Sequence, residues 1–356
     1  MEEKTVWESD FFGVATHITD IYFGDDDKFE NEHMPRFEEI TKRFTKIYGA
    51  KPSYFARAPG KVNLMGDYLI QNGYSVVRTC LEQDTILAFS LSDEPYIEIN
   101  HILPTLYPPE KLSNDPTQKF KEDSHYINCI LAGYKAALSD QNLDKLKGLK
   151  VLVTSNLSID AGLGSSTSLI ICSSLMTLFA NNLLYKVRKG RLLESVLKYE
   201  KMIAEVEIEN LDHILISSSK RGSALYMAPN EKPISIKIPS SLAFVVANSL
   251  TPTAKILTQG THNNKRIVEC RLAVCLLARE LQISDKVSLK TFKELQNLLA
   301  YSLEDMLNLV ELHLKKDSYK TKELEEMIGS PLIKCLTDIP YADLVVNSNH
   351  EFFLRQ

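Results

Sequence analysis

A glycine- and serine-rich segment between a strand pattern and a helix pattern constrains this chain most. Residues 149–154 alternate between two faces, as strands do, and a helix pattern runs over 166–184. Between them, residues 155–168 read SNLSIDAGLGSSTS. Free N–H groups at a helix start favour bound anions, and glycines let phosphate oxygens approach the backbone. The pattern predicts a phosphate-binding loop, and a plain glycine turn with a serine N-cap is the alternative.

The order of residues in this loop excludes two common nucleotide-binding motifs. No Lys-Ser or Lys-Thr pair follows the glycines, so the loop is not of the Walker A type. A third glycine at dinucleotide-fold spacing is also missing. The candidate ATP-binding residues are Gly162, Leu163, Gly164, Ser165 and Ser166.

The rest of the sequence predicts a mixture of strands and helices, and therefore an α+β protein. Turn signals stand at Pro59-Gly60 and, as a hairpin signal, at Asn72-Gly73. The predicted helices cover residues 35–48, 123–138, 191–207, 265–282, 290–316 and 321–328. The predicted strands cover residues 53–57, 74–77, 85–90, 223–227, 234–238 and 242–247.

Charge and cysteine usage narrow the class of protein. The 356 residues carry a formal net charge of −5, which argues against nonspecific nucleic-acid binding. Six cysteines at irregular spacing suit reduced thiols, and no apolar leader follows the N-terminal methionine. The longest apolar stretch, residues 169–184, is too short and too polar to span a membrane. These features predict a cytoplasmic protein.

A second segment, residues 57–68, reads RAPGKVNLMGDY and contains two candidate charges. The Lys61 ammonium is suited to a transferring phosphoryl group, and the Asp67 carboxylate is suited to sugar hydroxyls. The alternative is a turn with two surface charges.

Glu200 is a carboxylate in an apolar helix stripe that also contains Leu193, Leu197 and Ala204. A carboxylate in such a stripe needs a partner. The alternative is a glutamate at the boundary of the apolar face.

Two motifs together resemble a known family. Residues 58–66 are similar to the opening motif of galactokinases, and residues 161–166 resemble the phosphate loop of the GHMP kinases. Shorter similarities follow in family order at residues 72–76, 82–84, 247–249, 266–273 and 302–307. The residue runs GYSV (73–76) and VECRLA (268–273) resemble those of the N-acetylgalactosamine kinase subgroup.

This resemblance implies a GHMP kinase fold. Residues 1–220 would form an N-terminal α/β domain with the sugar motif and the ATP loop. Residues 221–356 would form a C-terminal α+β domain that is truncated. The implied activity is ATP- and Mg²⁺-dependent phosphorylation of galactose or N-acetylgalactosamine at the anomeric hydroxyl. The expected partners are the sugar and ATP, with no nucleic acid and no membrane. A monomer is the favoured oligomeric state. The alternative is a degenerate relative that binds nucleotide or sugar and regulates or contacts a partner protein.

The resemblance also assigns roles to single residues. Asp212 matches the aspartate that orients or deprotonates the attacking hydroxyl, and Lys61 stands where the family has an arginine near the γ-phosphate. Ser166 and Glu200 match the Mg²⁺ ligands. The remaining assignments are to the sugar site, at Asp67, Gly73 and Tyr74.

Several positions depart from the family pattern. Ile70 replaces a sugar-binding aspartate, and Asp160 replaces a loop glycine. Lysine at position 61 keeps the charge of the family's arginine without its bidentate fork. Residues 207–210 replace the glycine-rich turn ahead of Asp212. The last residues, 352–356, resemble the middle of a family helix, and the family's third glycine-rich motif is absent from the sequence.

Overall fold

The computed structural model of the chain describes residues 10–22, 29–141, 143, 145–158, 161–203, 211–247, 255–284, 289–339, 342–349 and 351–355. Within these residues a large mixed sheet carries helices on both faces, and a second, mostly helical unit follows in the sequence. No described helix is both long and apolar enough to cross a membrane.

The large sheet has seven strands, β1 (Tyr54–Met65), β2 (Val76–Ser92), β3 (Tyr96–His101), β4 (Glu110–Ser113), β5 (Gly148–Ser155), β6 (Ser223–Met227) and β7 (Ile234–Lys237). Their order is β4-β3-β5-β2-β6-β7, with β1 paired to β2 beside this path. The neighbours β3 and β5 are parallel, and the other pairs are antiparallel.

Four helices pack on the two faces of the sheet. Alternation in β2 and β5 separates the faces, because Leu87 and Val153 lie in one apolar cluster and Ile86 and Leu152 in another. Three helices, α2 (His125–Leu138), α3 (Ser165–Ala180) and α4 (Lys189–Ile203), contribute to the first cluster, and α1 (Met34–Tyr48) contributes to the second. A further short helix, α5 (Leu211–Ser218), lies against β1 and β2.

The second unit has its own apolar core. Val268, Leu272 and Leu276 of the long helix α6 pack there with Leu295 and Leu324. Its elements are α6 (Lys255–Glu280), α7 (Phe292–Leu299), α8 (Leu303–His313), β8 (Tyr319–Lys320), α9 (Thr321–Ile328), α10 (Ala342–Ser348) and β9 (Glu351–Phe352). The boundary predicted at residue 220 precedes β6 and β7, which pair within the first sheet. The division into two domains stays a prediction.

Three local predictions were wrong. The strand β1 runs through Pro59-Gly60 without a turn, because it pairs with β2 on both sides of this position, with a register shift between Pro59 and Lys61. Residues 242–247 form no strand, although they are a continuous apolar run of strand length, and Val245 is 93% exposed. The helix predicted over 290–316 ends at Leu299, where Ala300 takes a left-handed conformation, and a new helix begins after the Ser302 cap.

The end of the chain also differs from the prediction. Phe352 pairs with Tyr319 across two short antiparallel strands, so this segment is extended and not helical.

A buried carboxylate joins the N-terminal segment to the sheet. Asp84 of β2 is fully buried, and its oxygens accept hydrogen bonds from Arg36 Nη1 at 2.7 Å and Arg57 Nε at 2.6 Å. The Tyr22 hydroxyl also donates to this carboxylate, and burial raises the pKa of that hydroxyl. The Asp84 backbone N–H donates to Asn156 Oδ1, at the start of the predicted phosphate loop, at 2.7 Å.

Asp84→Ala is expected to lower the free energy of unfolding by about 3–5 kcal/mol, because two arginines would lose their buried carboxylate. Urea denaturation followed by circular dichroism measures this change. The control is Asp93→Ala, which removes an exposed pair with Lys147 and should change stability little. Equal stability of the two variants would show that the Asp84 cluster does not hold the N-terminal segment.

Candidate active site

The predicted phosphate loop connects β5 to α3, as the sequence pattern indicated. Gly162 and Gly164 both have φ of 71°, a left-handed conformation that favours glycine. Gly164 caps α3, so the N–H groups of the first turn, which begins at Ser165, lie at the loop. This arrangement suits an anion. The departure noted at Asp160 lies outside the described residues.

Lys61 lies directly against this loop. Its backbone N–H donates to Leu163 O at 2.9 Å, and a Cβ built on Gly164 would approach Lys61 Cγ to 2.9 Å. The residue is only 9% exposed. The lysine is therefore a buried part of the loop wall, and the alternative of a turn with two surface charges is wrong for this residue.

Asp212 lies in the first turn of α5 and faces Lys61. The distance from Lys61 Nζ to Asp212 Oδ2 is 3.2 Å, and Arg78 Nη1 donates to Asp212 Oδ1 at 2.7 Å. The Asp212 side chain is 23% exposed. A carboxylate, two cations and the loop thus meet at one place. The altered turn that precedes Asp212, residues 207–210, lies outside the described residues.

Arg78 is a site residue that the sequence interpretation missed. It belongs to β2, opposite Asn63 of β1. The signal available in the sequence was the spacing: Arg78 lies two residues from Val76 and two from Cys80, so in a strand the three side chains lie on one face. A charged side chain on a predicted buried face requires a partner of opposite charge.

Glu200 of α4 is 5% exposed, and both of its carboxylate oxygens have hydrogen-bond partners. Its Oε1 accepts a hydrogen bond from Thr167 Oγ1 at 3.0 Å, and its Oε2 is bonded to His213 Nε2. Ser166, the other predicted Mg²⁺ ligand, instead bonds His125 Nε2 at 3.2 Å. Glu200 is therefore a buried partner of the loop helix, and the alternative of a boundary glutamate is wrong.

The chemistry of these donors fits Mg²⁺, although no described group of three or more His, Cys, Asp or Glu side chains forms a metal cluster. Mg²⁺ prefers hard oxygen ligands at about 2.1 Å in octahedral geometry, which places neighbouring ligands about 3 Å apart. The oxygens of Thr167 and Glu200 lie 3.0 Å apart. Glu200 and a hydroxyl of the loop helix could therefore share one ion.

The predicted sugar-site residues are not all brought together. Asp67 is exposed and accepts a hydrogen bond from Asn63 Nδ2, close to Lys61 in sequence. Gly73 lies against Lys293, with a built Cβ 2.6 Å from Lys293 Cβ, and the Tyr74 hydroxyl donates to Gln296 Oε1 at 3.2 Å. Gly73 and Tyr74 thus contact the region around α7.

Ile70 occupies the position of the family's sugar-binding aspartate and makes apolar contacts. It packs against the cluster of Val76, Leu211 and Leu215. The short helix Ile70–Asn72 thus packs against a cluster that includes the residue preceding Asp212.

Comparison with known proteins decides the family. Residues 42–91 match the family model described as the galactokinase galactose-binding signature. A galactokinase of Dictyostelium discoideum is 30% identical over 347 residues, which are 95% of this chain and 67% of that protein. The chain belongs to the galactokinase family.

Other galactokinases agree with this assignment. A Candida albicans galactokinase is 30% identical over 270 residues, and the match covers 70% of this chain and 52% of that protein. This chain thus spans about half the length of the Candida relative. The crystal structure of Lactococcus lactis galactokinase complexed with galactose matches with a TM-score of 0.57 and 17% identity, covering 85% of this chain and 80% of that one. This likeness confirms the predicted α+β fold of the GHMP kinases.

Proposed function

We propose that this galactokinase-family chain is an ATP- and Mg²⁺-dependent sugar kinase that phosphorylates galactose or N-acetylgalactosamine at the anomeric hydroxyl. The observation that carries the proposal is the position of the Asp212 carboxylate, which contacts Lys61 beside the glycine loop. Phosphoryl transfer needs a positioned acceptor, a cradle for phosphates and compensating positive charge.

Each part of the site has a role in this proposal. The loop from Gly162 to Ser166 binds ATP phosphates through backbone N–H groups. Lys61 approaches the transferring phosphoryl group, and Asp212 accepts the proton of the sugar hydroxyl as its oxygen attacks. Glu200, with Ser166 or Thr167, would hold Mg²⁺, which when bound neutralises phosphate charge. Asp67, Gly73 and Tyr74 are proposed to contact the sugar.

The location and assembly of the protein are part of the proposal. All six cysteines are free in the structure, which is compatible with a reducing compartment such as the cytoplasm. We propose a monomer that binds sugar and ATP, and light scattering in solution tests this state.

A second candidate function is that of a degenerate relative that binds nucleotide or sugar without turnover. Ile70 favours it, because an apolar side chain packed against an apolar cluster cannot make the hydrogen bonds of an aspartate. Ordinary catalysis and degenerate binding differ in whether ATP is consumed.

Sugar-dependent ATP consumption tests the proposed activity. With millimolar Mg·ATP, galactose or N-acetylgalactosamine is expected to stimulate ADP release, and glucose and mannose serve as comparison sugars. Stabilisation by Mg·ATP against heat without sugar-dependent ADP release would favour the degenerate relative, since a ligand that binds only the folded state raises stability. A protein that shows no turnover and is stabilised neither by Mg·ATP nor by either sugar would reject both functions.

A further inference from the structure

We infer that Arg78 is a positioning residue that holds Asp212 and leaves Lys61 available to an anionic phosphoryl group. The inference rests on the proposed kinase function and assigns different tasks to the two cations at Asp212. Arg78 would fix the carboxylate, and Lys61 would bind the phosphate oxygens.

The strand register directs Arg78 to Asp212. Residues directly opposite each other on paired strands share a face, and so do residues two apart on one strand. Arg78 lies opposite Asn63, and Lys61 lies opposite Cys80, so all four side chains share one face of the sheet. Helix α5 covers this face, since Cys80 Sγ contacts Leu215 O at 3.5 Å. The backbone thus fixes Arg78 and Lys61 beside the first turn of α5.

The two cations contact Asp212 differently. Arg78 is 8% exposed and donates at 2.7 Å, a length typical of a charge-assisted hydrogen bond. Its Nε has no hydrogen-bond partner among the described residues, so Asp212 is the acceptor that compensates the buried guanidinium. The Lys61 ammonium stands 3.2 Å from the other Asp212 oxygen and has three donors to distribute.

The charge balance follows from these contacts. One carboxylate between two cations leaves one positive charge in excess, and Lys61 brings it to Gly164 at the loop. Without Arg78, Lys61 would be the cation that compensates Asp212, and this excess would vanish. The site would then discriminate less between a triphosphate and a diphosphate, because the terminal phosphate adds negative charge.

The test compares the affinities of Mg·ADP and of a non-hydrolysable Mg·ATP analogue by calorimetry. In Arg78→Met, we expect the preference for the triphosphate to fall by about fivefold. Arg78→Lys should keep most of this preference because the charge remains. Adding Asp212→Asn to Arg78→Met should restore it, since Lys61 then has no carboxylate to neutralise. If sugar is turned over, kcat should fall in Arg78→Met more than the KM for the sugar rises.

The chain contains a matched control. Arg271 donates to Asp338 at 2.8 Å, Lys290 contacts the other oxygen at 2.9 Å, and Arg271 Nε also lacks a described partner. Arg271→Met removes the same kind of group outside the first sheet and should leave the nucleotide preference unchanged.

An unchanged triphosphate preference in Arg78→Met, or a loss that Asp212→Asn does not reverse, would overturn the inference. A parent protein that prefers the triphosphate but consumes no ATP with any sugar would reject the proposed activity and leave the task of Arg78 standing. A parent that binds neither nucleotide would reject both.

Discussion

Asp212→Asn is expected to reduce sugar-dependent ATP turnover by a factor of about 10²–10⁴, the usual cost of losing a positioned general base. The amide has nearly the shape of the carboxylate, but it cannot accept the proton of the attacking hydroxyl. Steady-state kinetics with galactose and Mg·ATP measures the effect. The loss should appear in kcat, because the proton is accepted in the transition state.

Asp338→Asn is the control for this variant. Asp338 also lies between an arginine and a lysine, at 2.8 Å and 2.9 Å, but in the second unit of the chain. The control should retain parent turnover, so general disturbance of a charge triad would not explain a loss in Asp212→Asn. If the Asp212 variant keeps more than half of the parent kcat, Asp212 is not the base.

Gly164→Val is expected to lower the affinity for Mg·ATP by about 100-fold, which corresponds to the loss of one or two charge-assisted hydrogen bonds. Two physical effects combine. Gly164 has φ of 71°, where a β-branched side chain is strained, and a Cβ there would approach Lys61 Cγ to 2.9 Å. The valine would therefore move the loop, and it would also displace the lysine that lies against it.

Calorimetry with Mg·ATP, together with the shift in melting temperature on adding it, measures this loss. Gly222→Val is the control, because Gly222 has φ of 67° and open space around a built Cβ. The control carries similar backbone strain away from the loop and should bind Mg·ATP as the parent does. Equal Mg·ATP affinity in both variants would contradict a phosphate-binding role for the loop.

The parts of the fold that the sequence predicted are those with local signals. Residues 149–184 contain a strand, a glycine loop and a helix start in one continuous stretch, and the structure has all three. The helix predicted at 35–48 was confirmed as α1, and strands were confirmed at 223–227 and 234–238. Local periodicity and capping determine such elements.

Elements that depend on distant neighbours were predicted less well. Pro59-Gly60 has the composition of a turn, but β2 pairs along both sides of this position and keeps β1 extended. Residues 242–247 are a continuous apolar run of strand length, yet no described strand pairs with them. Strand formation depends on a partner strand, and the residues of the segment itself do not show which strand that is.

The candidate site shows the same division. The loop was predictable from its own residues, and the role of Asp212 came from family resemblance. The contact of Asp212 with Lys61 depends on α5 packing against β1. Arg78 had a weak signal in the strand pattern, but only the register of β1 and β2 shows that it reaches Asp212.

Identification of the product shows whether the protein phosphorylates a sugar at the anomeric hydroxyl. Galactose and N-acetylgalactosamine are each incubated with the protein and Mg·ATP, and the products are examined by two-dimensional ¹H–³¹P NMR. We expect a sugar phosphate in which phosphorus couples to the anomeric proton, formed by the parent and at most at a trace level by Asp212→Asn. A phosphate on any other hydroxyl, or no sugar phosphate at all, would contradict it.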